Sequence, residues 1–192
     1  MRSAIVLLLL FAAWTLTVPA SAASVAVAPS NPEMKAIFDA DQSERQADKV
    51  NWEAVAAADK VRRARTATLL SQGALYSGDD YLEAAFVFQH GDSANDYLLA
   101  HILATVAVNK GNKDGVWIAS ATLDRYLMKI GQKQILGTQY ITPQFIDPKA
   151  SGSWTQEPYD RALISDALRK ELAVPPQAEQ AEELKKMIDR RR

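Results

Sequence analysis

The stretch FVFQHGD, Phe86 to Asp92, ends an apolar helical turn on an amide and an imidazole. His90 is one of only two histidines in the chain. Gly91 breaks the helix behind it, which puts His90 at a helix end, where catalytic and binding groups are commonly presented. A neutral imidazole oriented by a carboxylate is a general base or a metal ligand. The spacing therefore singles out His90, with Asp92 or the more distant Asp124 as its orienting acid. Asp92 has a plainer role open to it, as cap of the next helix. His101 falls on a face with Tyr97, Thr105 and Val108 and reads as a core or partly buried residue.

Other polar residues interrupt apolar stripes. At about 100° per residue, Asp41 and Arg45 lie in the stripe of Met34, Ile37 and Phe38. Asp59 shares a face with Val55, Thr66 and Leu70. Gln89 sits with Leu82, Ala85 and Phe86, and Asp124 with Ser120, Leu123 and Leu127, followed by Arg125. Four helices that each turn a polar group inward predict a shared cluster. In its plain form this is a network of ion pairs that fixes helix register, with Asp41–Arg45 at i,i+4 and Asp124 paired to Arg45 or Arg125. In its sharper form it is a site for a cation or a polar ligand.

These helices need boundaries. The first starts at Ser30 or Asn31 as cap, with Pro32 in the first turn. Asn51 opens the second, which stops at Gly73; Ser77 opens the third. The fourth ends at Gly111 and the fifth at Gly131. After Gly131, KQILGTQYITP and GSWTQEPYD carry β-formers, Gly and Pro without helical period, and predict a short hairpin. DRALISDALRKEL and QAEQAEELKKMIDRRR return to helix. The expected class is mainly α: one domain, residues 31–192, of six to seven helices with a short β-hairpin after the fifth.

Ahead of that domain, Arg2, the apolar run Ala4–Val18 and the small residues Ala20–Ala22 have the form of a secretory signal. Cleavage is expected after Ala22, leaving residues 23–30 as a linker. The apolar run is shorter than the ~20 residues that span a bilayer. An exported protein, periplasmic or extracellular, with no membrane association after cleavage, is the expectation. The chain has no Cys, which excludes a lipid-anchored cysteine, thiolate metal sites and Cys nucleophiles. Its net charge of −1 over 192 residues gives no electrostatic footprint for nucleic acid.

The order of motifs resembles an uncharacterised bacterial family. That family carries an early Asp with an Arg, a mid-chain Asp, a QH-small-D turn, a DR helix and a G-x-x-Q-x-x-GTQ segment. Here these are Asp41 and Arg45, Asp59, Gln89–Asp92, Leu123–Arg125 and Gly131–Gln139. The likeness continues through EPYDR to Pro175-Pro176. This chain departs from the pattern at Gly91, where the family has Ala, and at Leu136, where it has Tyr; QGALYS lacks the family's Trp-Pro. The family brings no established activity, so the resemblance supports a residue list. Gln134, Thr138 and Gln139 enter through it as ligand-binding candidates beside Asp41, Arg45, Asp59 and Gln89. Gly137 permits a tight backbone there, and the loop could close a polar pocket or simply bond to the hairpin turn.

Binding of a small polar ligand or a protein partner is the leading functional reading, since no GxSxG, HExxH or P-loop is present. The alternative is a hydrolase, with His90, Asp92, Asp124 and Arg125 as catalytic residues. A metal-assisted form would draw on Asp41, Asp59, Asp124 and His90 and suit Mg, Ca or Mn. Their spacing matches no metal signature, so no metal ligand and no cofactor is assigned. A purely structural network is the third reading.

Overall fold

The computed structural model describes residues 29–145 and 149–190. The expected signal peptide, residues 1–22, and most of the linker lie outside the described residues. Seven α-helices follow one another: α1 (Pro32–Arg45), α2 (Trp52–Ser71), α3 (Gly78–Gln89), α4 (Ala94–Asn109), α5 (Gly115–Lys129), α6 (Asp166–Glu171) and α7 (Gln177–Asp189). One 3-10 turn, Pro143–Phe145, stands between α5 and α6.

Local chemistry sets most helix starts. The Asn31 side chain accepts from the N–H groups of Glu33 and Met34 at 2.9 and 3.1 Å. Ser30, the other expected cap, instead pairs with the Ser77 hydroxyl at 3.1 Å. Asn51 caps α2, and Ser77 with Asp80 forms a reciprocal box at α3. The cap of α4 is Ser93 boxed with Asp96, not Asp92. Asp80 is fully buried and also accepts the Asn31 N–H at 2.7 Å, which ties the start of α1 to that of α3.

The core gathers where α4 packs between α3 and α5, with α1 and α2 against the outer side of α3. Its contacts are close because the facing residues are small. Ala84 and Ala85 of α3, Ala100, Ala104 and Ala107 of α4, and Ala121 of α5 are all fully buried. A Cβ at Gly115 would come within 2.7 Å of the Ala104 carbonyl oxygen. Met34, Leu69, Val87, Phe88, Leu103 and Ile118 fill the remaining volume. The inward face of α2 is different: Val55, Asp59, Arg62, Thr66 and Leu69 are its buried residues, three of them polar.

The expected hairpin is not there: the described residues contain no sheet. Its two segments meet only at isolated bridges, Gln134 with Tyr159 in parallel and Ile141 with Thr155 antiparallel. Between them the backbone turns at Gly137, whose φ is +76°. The groups a ladder needs are taken by side chains. Asp124 accepts the N–H groups of Ile135, Leu136 and Thr138 at 2.8, 3.0 and 2.9 Å. Arg169, fully buried, donates to the Leu136 carbonyl at 2.6 Å, and Gln180 donates to the same oxygen at 2.8 Å. The segment thus sits in a buried polar clamp, and α6 and α7 close over it.

Gly137 is fixed by that clamp. A Cβ there would lie 2.3 Å from Gln180 Oε1 and 2.6 Å from the Tyr159 hydroxyl, on top of the positive φ. Gly137→Ala should cost about 2 kcal/mol, from left-handed backbone strain plus overpacking. Urea unfolding of the variant beside the parent measures it; an unchanged midpoint would mean that the turn relaxes freely.

Candidate functional site

The predicted residues divide into two clusters joined at the C-terminal end of α3. The first is built on Asp41, which is fully buried. Arg45 Nη1 donates to its carboxylate at 2.9 Å, and Gln42 Nε2 does so at 2.8 Å. His90 Nδ1 lies 3.2 Å from both carboxylate oxygens. Arg45 Nη2 reaches across to Asp59 at 2.7 Å, so one guanidinium bridges acids on α1 and α2. Burial pushes the Asp41 carboxyl up, but His90, Arg45 and Gln42 together outweigh it and hold the group below its ordinary value.

Arg62 completes this cluster and was not among the predicted residues. It is only 8% exposed, donates to Asp59 at 2.9 Å and pairs with Glu44. Burial works against its charge, and Glu44, Asp41 and Asp59 overcome that effect and raise its pKa. Helical spacing could have found it: Arg62 falls three residues after Asp59 and four before Thr66, on the face already noted.

His90 is therefore oriented by Asp41, not by Asp92 or Asp124. In the neutral tautomer in which Nδ1 donates to the carboxylate, Nε2 keeps its lone pair. Nε2 forms no hydrogen bond with any described residue, and it is not among the buried unpartnered atoms. Asp92 is largely exposed and pairs with Arg63 at 3.1 Å.

Two arginines meet the end of α3. Arg63 Nη1 donates to the His90 carbonyl at 2.9 Å, and Arg125 Nη1 donates to the Gln89 carbonyl at 2.6 Å. Carbonyls at a helix C-terminus lack partners within the helix and carry partial negative charge, so both contacts are favourable. The buried Gln89 thus contributes its backbone here. Arg125 also donates through Nε to Gln139 Oε1 at 3.0 Å. No carboxylate of a described residue forms an ion pair with it. Burial pulls its pKa below the usual range, with Tyr97 opposing in part. The Tyr97 hydroxyl is in turn raised by burial, with Arg125, Asp92, Asp96 and Arg63 around it.

The second cluster is the clamp. Asp124, fully buried, takes four donors: the three backbone N–H groups and the Thr138 hydroxyl at 2.8 Å. It pairs with neither Arg45 nor Arg125. Gln134 Oε1 accepts the Gln139 N–H at 3.0 Å, and its amide donates to the carbonyls of Gln139, at 2.9 Å, and Gln156. Gln139 Nε2 donates to the Ala121 carbonyl at 3.1 Å and to Thr138 Oγ1 at 2.9 Å. Gln134, Thr138 and Gln139 are thus bonded within the protein. Arg169, Gln156 and Gln180 are clamp members that periodicity did not single out, since their partners are backbone groups of a distant loop.

Asp41, Asp59, Asp124 and His90 do not converge as one ligand set, because Asp124 belongs to the clamp. Among the described residues no group of three or more His, Cys, Asp or Glu is arranged to hold a metal ion. Gly91 also acquires a reason. A Cβ there would come within 2.2 Å of Asp96 Cβ, so the alanine of the resembled pattern needs Asp96 to move. His101 is half-buried, with Nδ1 at 2.8 Å from the Ala119 carbonyl.

No family model matches the chain, and comparison with curated proteins and with solved structures finds no match. No helix among the described residues is long and apolar enough to cross a membrane.

Proposed function

We propose that the protein is an exported helical domain that binds a small anionic ligand at the C-terminal end of α3. One observation carries this reading. Arg125 is a half-buried guanidinium whose acceptors among the described residues are all neutral, and it bonds the carbonyl of Gln89, the residue before His90, whose Nε2 has no partner among the described residues. Every carboxylate of the Asp41 cluster is already matched by a base. A carboxylate or phosphate would supply the missing countercharge and accept from Arg125. The motif order that resembles a bacterial family fits the same residues, and the site's polar neighbours would orient the ligand.

The test starts from protein recovered from the exported fraction, its intact mass showing an N-terminus at Ala23. Inorganic phosphate, citrate and sugar phosphates are titrated by calorimetry. Binding is expected, weakened at least about tenfold in both His90→Ala and Arg125→Lys, a change of about 1.4 kcal/mol. Full affinity in either folded variant, or no binding by the parent, removes the reading.

A second reading rests on the Asp41–His90 contact. A carboxylate-held imidazole with a free Nε2 is the arrangement of a general base. In a hydrolase, His90 would activate water or a hydroxyl and Arg125 would stabilise developing negative charge. Turnover lost in His90→Ala while ligand binding persists would favour this reading over simple binding.

A further inference from the structure

Helices α1 and α3 run parallel, and three contacts fix their register. The Asn31 N–H meets Asp80 near the start of both, the rings of Phe38 and Phe86 stand 5.4 Å apart edge to face, and Asp41 meets His90 at the far end. Partners at either end are 49 residues apart in sequence, and Phe86 follows Phe38 by one fewer. The same offset sets Lys35 of α1 across from Glu83 and Ala84 of α3. Glu83 is buried between the two matched ends of this seam, and its Oε2 has no hydrogen-bond partner.

Lys35 is the base across from it, and its ammonium is engaged elsewhere. It bonds Asp39, one turn along α1, at 2.5 Å, and both side chains of that pair are more than half exposed. Exposed i,i+4 pairs are weak, so Asp39 holds Lys35 loosely. The charged groups that act on Glu83 are Lys35 and Asp39 of α1 and Asp80 and Asp79 of its own helix. Asp80 is committed to the N–H groups of Asn31, Tyr76 and Ser77, and Asp79 accepts from the Asn112 amide. On the flanks, Arg65 of α2 is bonded to Glu33, and Lys110, just past α4, donates to the Tyr76 carbonyl. Lys35 is thus the base that can change partners at little cost.

We propose that Glu83 and Lys35 form a proton-operated latch on the α1–α3 seam: with Glu83 protonated, Lys35 stays on Asp39, and when Glu83 releases its proton to solvent, the ammonium leaves Asp39 for the Glu83 carboxylate. An ionised carboxylate without donors in a buried site is costly. A point charge on a flexible four-carbon stem, set opposite in the register, is the nearest group that can answer it. The swap trades a weak exposed pair for one strengthened by a lower dielectric. It recovers part of the desolvation cost and not all of it, so ionisation still destabilises the fold. Burial pushes the Glu83 carboxyl up to about 7, which sets the latch to turn near neutral pH. As pH rises, an ion pair within α1 becomes one between α1 and α3, the helix that ends beside His90.

The test is an NMR titration of the full chain from about pH 5 to about pH 9, following the Glu83 Cδ and Lys35 Cε signals. One midpoint is expected in both, with a nuclear Overhauser contact from Lys35 to Glu83 growing in above it. Glu83→Gln keeps the shape without the charge and should remove the Lys35 step. Asp39→Asn takes away the competing partner at an exposed position. It should lower the Glu83 midpoint by about 0.3 pH unit or more, the worth of an exposed i,i+4 pair. His90→Ala should leave every step in place, which separates the latch from the anion site. Lys35 signals that stay flat while Glu83 titrates overturn the proposal. So does an unmoved Glu83 midpoint in Asp39→Asn, or a Glu83 carboxyl that shows no step in this range.

Discussion

Asp124→Asn should lower the free energy of unfolding by about 3–5 kcal/mol, among the largest effects of any conservative change in this chain. The carboxylate accepts two donors on each oxygen. An amide keeps one acceptor and turns an NH2 group toward the others. In one orientation the NH2 faces the N–H groups of Ile135 and Leu136; in the other it faces the Thr138 N–H, where only the Thr138 hydroxyl can turn and accept, so at least one backbone donor faces a donor in a site with no exposure to water. Charge-assisted bonds are worth about 1.5–3 kcal/mol each, which sets the magnitude. Urea unfolding measures it, and faster amide exchange at Ile135, Leu136 and Thr138 would localise it. A variant as stable as the parent would show that these N–H groups have an alternative partner and that the clamp is not anchored at Asp124.

Stability should fall by about 3 kcal/mol as pH rises from below 4.5 to above 7, through Glu83 alone. Glu83 is 7% exposed, and its Oε2 has no hydrogen-bond partner. Burial pushes its carboxyl up to about 7 from 4.5; Lys35 on α1 opposes this, while Asp80, Asp39 and Asp79 add to it. Lys35 is engaged with Asp39 at 2.5 Å. The folded chain therefore holds this proton more tightly than the unfolded chain does. The contribution is complete below the unfolded pKa and is lost as pH passes through the folded one. Asp41, shifted the other way, acts in a separate window: its contribution is present above its unfolded value and lost as pH falls through its lower folded pKa. Glu83→Gln stays neutral throughout and should flatten the fall between pH 4.5 and 8. A parent and variant with parallel pH profiles would exclude Glu83 as the source.

Helices were legible in the sequence because their signals are local. Asn31, Asn51 and Ser77 cap what they were expected to cap, since a cap and its partners sit within three residues. The inward turn of Asp41, Asp59, Gln89 and Asp124 was legible too, because periodicity alone assigns a face, and all four are buried. Partners were not legible. Asp41 meets His90 from 49 residues away. Asp124 meets backbone groups, which no side-chain pattern encodes. The same gap explains the hairpin: Ile135, Thr138 and Tyr140 have strand-like propensities, but propensity cannot register that distant side chains claim the backbone around them. Arg169 and Gln180 stayed hidden because a buried arginine or glutamine in a polar helix looks like any solvated one.

The clamp also sets an order of assembly. Beyond a longer bond from the Tyr159 hydroxyl, 23 residues ahead at 3.3 Å, the Leu136 carbonyl waits for a donor 33 residues ahead at Arg169 and another 44 ahead at Gln180. A growing chain has α1 through α5 in hand before either arrives, so those helices can settle first around their alanine contacts. The edge of that bundle stays unfinished until α7 emerges, since long-range closures come late and slowly. A chain halted between Gly131 and Gln180 would carry an exposed, half-bonded loop on an otherwise formed bundle. The last helix is therefore the keystone of the fold, and a translation pause or protease nick just ahead of it would be felt as far back as α5.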